Sequence, residues 1–483
     1  MRRVLAAGVL LAFVPTANAQ DKAKSEFTPS AEYRARYFYL QNPSAKESDN
    51  SSQNMAEGRF KLGLDYRANE KISAHATLLH NTNFGIDNNT DAAGGNTGAG
   101  TASTTPPGTT TVNDQDNLIS VNEAYVNWMS SDDMNFRIGR MNYHVADGSF
   151  ISSNDWEKIP YSFEGLQANW EQEWGKLQFV AFKVRNLATV DNVNHPATNS
   201  SASDDAEHNM YGINFDLKTM PEWLKGVNAH IFKDTGDALG GGSGSYVMST
   251  TNGVDTLRYG LMGKFAFSGF DAGAWYEAQG GKLKNITAAG VKTDLGYKGQ
   301  MYQIELGYTL ENFMMSRFFL LYHRDSGDDN TGDNDLKGYD PYYYDMHANA
   351  GLMDLLAWGN LTQISLGWTF KTDDRNDFGL AYHMFSKTEK SSTTTTAQGV
   401  NFGTMGAYGG GREDLSSRTQ KADADKIGDE IDLWATHHYN DNLATTFRVG
   451  YFMPGDVFEP TAAGTEKSTD KILHVMIEGK ATF

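Results

Sequence analysis

The chain has 483 residues, no Cys, 39% hydrophobic and 21% charged residues, which excludes a disordered polymer, a disulfide scaffold and a lipidated cysteine anchor. Its formal charge of -19 argues against nucleic acid and anionic lipid surfaces as partners. Beyond the first 20 residues no run approaches about 18 uninterrupted apolar residues, so no membrane-spanning helix is expected.

The first element, residues 1–19, reads as a secretory signal: Arg2 and Arg3 form its charged head, Val4 to Val14 its apolar stretch, and Ala17-Asn18-Ala19 a small-residue cleavage site. Pro15 would break a buried helix here after about three turns, so export is the better reading. Losing the two arginines moves the formal charge from -19 to -21. Residues 20–483 are then expected to form a single domain.

From Ala31 onward, segments of about ten residues recur with an apolar residue at every second position, the period of a strand with one greasy face. In the first, Ala31, Tyr33, Ala35, Tyr37 and Tyr39 oppose Glu32, Arg34 and Arg36. In the second, Phe60, Leu62, Leu64 and Tyr66 oppose Arg59, Lys61, Asp65 and Arg67. The pattern returns at Tyr211 to Leu217, Tyr302 to Tyr308 and Phe378 to Met384.

A soluble β-sandwich alternates too, and loop lengths separate the cases. Connections at 69–70, 130–133, 173–175, 268–269, 311–312, 372–375 and 440–442 are tight, and 218–225 is little longer. Between them fall long ones at 41–57, 81–117, 141–162, 186–207, 234–255, 280–297, 324–360, 388–427 and 453–469. Strict short-long alternation puts every short turn on one rim, which predicts a closed antiparallel transmembrane β-barrel of about 18 strands with short periplasmic turns and long extracellular loops. A barrel that wide encloses an aqueous channel. An even strand number brings both termini to the periplasmic side, where the last strand closes against the first. In that last strand Leu473, Val475, Ile477, Gly479, Ala481 and Phe483 face one way and His474, Glu478 and Lys480 the other. Trp128, Trp170, Tyr308 and Trp368 share the greasy parity near short turns, as a headgroup-level girdle requires. About ten residues separate the signal from the first strand, too few for a plug domain.

The opposite parity defines the expected pore lining. Arg34, Arg36, Arg59, Lys61 and Arg67 form a basic column standing in lumen water, and Arg137 shares its inward parity. Asp271, Glu277 and Glu305 on middle strands and Glu430 and Asp432 near the end are acidic counterparts. Arg448, returning across the 440–442 turn, should lie beside Trp434 and close to Asp432. Either these charges form a transverse field that orients polar solutes, or they mostly pair off. Trp275 and Trp434 also face inward, where an indole can stack on sugar faces. Asp325 to Asp335 holds enough carboxylates for calcium but lacks the EF-hand offsets, and a solvated acidic loop is the plainer reading. Gly351 to Trp358 has helical spacing within a long loop, and either folds inward or caps the rim.

Three stretches resemble the alginate-export family of outer-membrane barrels: Asn122 to Leu166 with its FRIGR strand, Asp147-Gly148, Asp155-Trp156 and Ser162-Phe163-Glu164-Gly165; Tyr339 to Lys387 with Asp340-Pro341 and His347; and Gly428 to Asp456. Met141 follows Arg140 where family members tend to carry Gln. The resemblance implies an outer-membrane porin for passive passage of hydrophilic solutes, anionic saccharides among them, surrounded by lipid and lipopolysaccharide and using no cofactor or metal. A hydrolase is the rival class. Asp345 and His347, or His437 and His438, are its only candidates, and no set of nucleophile, base and orienting group emerges by spacing. An adhesin on a barrel is supported only by the long loops.

Overall fold

The computed structural model describes residues 25–48, 51–84, 119–186, 207–236, 253–288, 291–347, 349–392, 398–402, 415–459 and 467–483. The signal expected at 1–19 lies outside them.

Twenty strands follow one another: β1 Glu26–Gln41, β2 Ser52–Arg67, β3 Ile72–Asn83, β4 Ile119–Ser131, β5 Met134–Met141, β6 Phe163–Glu171, β7 Gly175–Asn186, β8 Glu207–Leu217, β9 Leu224–Gly236 and β10 Gly253–Phe267. Then come β11 Phe270–Ala288, β12 Val291–Tyr297, β13 Gln300–Leu310, β14 Ser316–Asp325, β15 Asp335–Leu336, β16 Leu361–Asp373, β17 Asn376–Lys387, β18 Lys426–Asn440, β19 Leu443–Pro454 and β20 Ile472–Thr482. Eighteen of them are staves of one closed antiparallel barrel. β11 pairs directly with β13, and β14 with β16, so β12 and the two-residue β15 stand above the long-loop rim. β20 closes on β1 with Tyr37 opposite Ile477, and Phe483 and Ala31 exchange backbone hydrogen bonds of 2.8 and 3.0 Å.

The parity read from the sequence holds around the wall. Tyr33, Phe60, Leu261, Leu306, Leu433 and Ile477 are exposed on the outer face, whereas Arg34, Arg59 and Glu430 are buried inside. On β10 the outer apolar row runs from Phe267 to Leu257, about ten residues, which at ~3.4 Å each and ~45° tilt makes a band ~25 Å tall, the height of a bilayer hydrocarbon layer. Aromatic pairs line the short-turn end of that band: Trp128 on Phe136 at 5.4 Å, Phe270 on Tyr308 at 4.4 Å and Phe318 on Trp368 at 5.9 Å.

Two boundaries differ most from the sequence reading. β2 begins at Ser52 inside the expected 41–57 loop, pairing Gln41 with Ser52, and β11 runs on to Ala288 inside the expected 280–297 loop. Above the apolar band a strand meets water on its outer face, so the ladder continues where alternation has faded. Glycine is required where the FRIGR strand meets its neighbours: Gly139 (φ +135°) and Gly165 (φ +152°) are register partners, and a Cβ on either would fall 2.2 or 2.1 Å from the carbonyl oxygens of Ala124 and Ala181.

The hydrophobic core sits inside the barrel. Phe38, Phe163, Phe182, Phe232, Phe385 and Phe452 point inward near the long-loop ends of their strands and bury Tyr143, Val145, Phe150, Leu355 and Trp358. Those last five belong to the connections β5–β6 and β14–β16, which therefore fold into the bore.

Candidate functional site

The β5–β6 connection, residues 142–162, enters the lumen because its apolar residues alternate with turn formers. Val145 and Ile151 bridge to each other, Ala146 and Asn154 take positive φ, and Asp147 accepts from the Ser149 backbone N–H at 3.2 Å. From the opposite wall Trp275 Nε1 donates to Asp147 at 3.1 Å and Lys264 pairs with it at 2.8 Å. The loop then crosses the bore and offers the carbonyls of Asp155, Trp156 and Glu157 to the basic column. Arg34 donates to all three, at 2.9, 2.8 and 3.1 Å. Arg59 donates to Asp155 and Glu157 at 2.7 and 2.9 Å, and Arg36 to Trp156 at 2.6 Å. Arg59 also pairs with Glu32 at 2.7 Å and with the Asp155 carboxylate at 3.0 Å, to which Lys61 pairs as well.

The 326–360 connection is held by the opposite chemistry. Glu430 accepts from the Met353 N–H at 3.0 Å, Asp432 from Leu352 at 3.0 Å and Asp325 from Gly359 at 2.6 Å. Asp234 and Glu277 accept from the Tyr342 and Tyr339 hydroxyls at 2.9 and 3.1 Å. Four of these carboxylates also face a histidine, in the pairs His208–Asp234, His230–Glu277, His323–Asp325 and His383–Asp432, at 2.9–3.1 Å. Of the two alternatives for Gly351 to Trp358, folding inward or capping the rim, the structure shows the first: the segment folds inward, in irregular backbone despite its helical spacing, its amides committed to wall carboxylates instead of to a helical ladder.

The two loops meet at mid-bore. The His347 ring lies 3.4 Å from the Trp156 ring at 6°, and the Arg36 guanidinium lies 3.6 Å from it. Arg448 stands 4.6 Å from the same indole and donates to His347 Nε2 at 2.7 Å, so His347 is neutral with its proton on Nδ1, donated to Asp354 at 2.9 Å. Ser152 N–H donates to Tyr343 O at 2.5 Å and Asp345 N–H to Gly148 O at 3.0 Å. Burial works to raise the Asp155 carboxyl, but Arg59 and Lys61 outweigh it and hold the group below the ordinary carboxylate range. Burial pushes Asp345 up, and pushes the nearby His144 down.

The column Arg34, Arg36, Arg59 and Lys61 points inward as expected, yet the first three are not in open water: at 5%, 5% and 1% exposure they are covered by the loop they grip. An arginine fork with five donors captures loop carbonyls that a static wall would leave to solvent. Glu277, Glu430 and Asp432 likewise anchor backbone and hydroxyl groups. Asp271 and Glu305 are joined by Arg317, at 2.5 and 2.6 Å, a partner the sequence reading missed. Arg67 is exposed at the short-turn rim, and Arg137 lies 5.3 Å from the Tyr125 ring. Trp434 is the register partner of Arg448 and covers Gly379, where a Cβ would fall 1.9 Å from the indole. Asp325 is buried at the inward end of its strand, Asp329, Asp333 and Asp335 pair with lysines, Lys337 to the first two and Lys298 to the third, and Asp328 is buried and accepts from the Asn330 N–H. His437 and His438 bond to Asn376 and Asp377 at the far rim. Sequence reasoning also passed over Trp156, though Asp155-Trp156 lay in a resembling stretch.

A family model described as alginate export matches residues 26–470. No curated protein matches the chain. Among solved structures, Acinetobacter baumannii OccAB1 is 10% identical with a TM-score of 0.54, the alignment covering 95% of this chain and 96% of that one. Pseudomonas aeruginosa OccK8 (OprE) is 12% identical, TM-score 0.53, covering 95% and 98%. Pseudomonas aeruginosa OpdL is 12% identical, TM-score 0.53, covering 94% and 98%. At such identities the likeness is one of fold.

Proposed function

The chain belongs to the alginate export family and is a porin of the Gram-negative outer membrane, and from that premise we propose that it passes hydrophilic solutes passively and favours those carrying carboxylates, anionic saccharides foremost. The observation that carries the reading is Arg448. Among the described residues it has no carboxylate within ion-pair distance, and its partners are the neutral His347 and the Trp156 ring. Beside it the half-buried Trp434 lies against Gly379. A guanidinium without a carboxylate partner next to an indole suits a uronate, whose carboxylate takes the cation while its ring face meets the aromatic. Catalysis has no part in this reading, since Asp345 and His347 are engaged at the loop junction.

Planar-bilayer conductance tests it. Arg448→Gln should shift the reversal potential toward cations and weaken block by uronate oligomers at least several-fold, with block by neutral oligosaccharides little changed. Equal block of parent and variant by uronates would refute the assignment.

A further inference from the structure

We propose that the outer face of β9–β11 carries a binding site for a phosphate of an outer-leaflet lipid A headgroup, built by Lys233 and Lys284 around Asp255 with Lys282 beside them; this rests on the outer-membrane reading above. Parity places the group outside the barrel. Lys233 follows the lipid-facing Ile231 on the same face of β9 and is the register partner of Tyr211 and Leu257 on the flanking strands. Asp255 is opposite Lys282 on β11 and one diagonal step from Lys284. Lys233 pairs with Asp255, Lys284 reaches the same carboxylate at 3.4 Å, and Lys282 lies 4.0 Å from Asp294.

Height fixes the layer these groups occupy. The outer apolar row of β10 ends at Leu257 after filling the ~25 Å of a hydrocarbon layer, and Asp255 is the next outward residue toward the long-loop rim. The lysine heads therefore lie at the phosphates of the outer leaflet, with their stems able to lie along Tyr211 and Leu257. Charge supplies the second argument. At other described points of the surface a cation pairs singly with a carboxylate, as Arg140 does with Glu164 at 2.8 Å and Lys218 with Glu171. Here, among the described residues, three lysines meet two carboxylates, and two of the ammonium groups share one, 41% exposed each. The surplus positive charge faces the phosphate layer, where a dianionic monoester can bridge Lys233 and Lys284 while Asp255 holds the two ammonium groups apart.

The test uses the full chain in neutral detergent and native mass spectrometry with bis-phosphorylated lipid A, the same lipid dephosphorylated, and inorganic phosphate. The parent should prefer the phosphorylated lipid, and Lys233→Ala with Lys284→Ala should weaken that binding roughly thirtyfold, to the level of the dephosphorylated lipid. The Lys→Arg pair should restore it, and Lys218→Ala at the periplasmic rim should leave it unchanged. Equal binding by parent and alanine pair overturns the proposal. Displacement of the lipid by millimolar inorganic phosphate overturns the headgroup assignment. Heat-modifiable migration separates the two levels: a parent that lacks it sinks the outer-membrane reading, whereas folded variants with unchanged lipid preference sink this site alone.

Discussion

The two inward loops are held by walls of opposite sign, and each wall takes hold of the half of the peptide group that suits it. Strands β1 and β2 present Arg34, Arg36 and Arg59, and these grip carbonyl oxygens of residues 155–157. Strands β14 and β18 present Asp325, Glu430 and Asp432, and these grip N–H groups of residues 352, 353 and 359. A loop without a ladder of its own must still satisfy its backbone inside the bore, and charged side chains do so with bonds about twice as strong as neutral ones. The difference teaches that a lumen rich in charge need not be a lumen of free charge. Most of these groups hold the constriction in place, and Arg448 is a cation left over at the junction.

Replacing Arg34 and Arg59 together by Gln should break the cationic side most severely. Six hydrogen bonds to the loop or its Asp155 carboxylate lose their charge assistance, each of the order of 1.5–3 kcal/mol when made to a charged group. We expect at least a doubling of single-channel conductance and rapid proteolysis between residues 142 and 162. A double variant with parental conductance would show that the clamp does not set the bore.

Glu430→Gln should act in the same direction on the other loop with a smaller effect, about 1 kcal/mol, because a carboxamide oxygen can still accept from the Met353 N–H. The readout is cleavage between residues 342 and 358, and protection equal to the parent's would put the carboxyl anchor in doubt.

Acid should separate the two loops most gently. Asp155 titrates below its unfolded value, so its contribution is present above about pH 4 and fades as pH falls toward the lowered folded value. Asp345 titrates above its unfolded value, so its contribution is full below about pH 4 and fades as pH rises through the folded one. Conductance should thus rise modestly below pH 4 through the 142–162 loop, and Asp155→Asn should abolish the rise. An identical acid response in that variant would assign it elsewhere.

The sequence alone determined the barrel, because a wall between lipid and water must alternate at every second residue and close without an edge. Parity then placed Arg34, Arg59, Glu430 and Arg448 inside, and the short-long rhythm of connections gave about 18 strands. The tertiary structure decided what the inward groups do. Arg317 joins Asp271 to Glu305 from a strand whose partners only the register reveals, and Trp156 meets His347 across 191 residues of chain. Alternation is local, set by which solvent each face of a strand meets. The grip on a loop depends on backbone groups that every residue carries, so no residue type along residues 155–157 or 352–359 announces it.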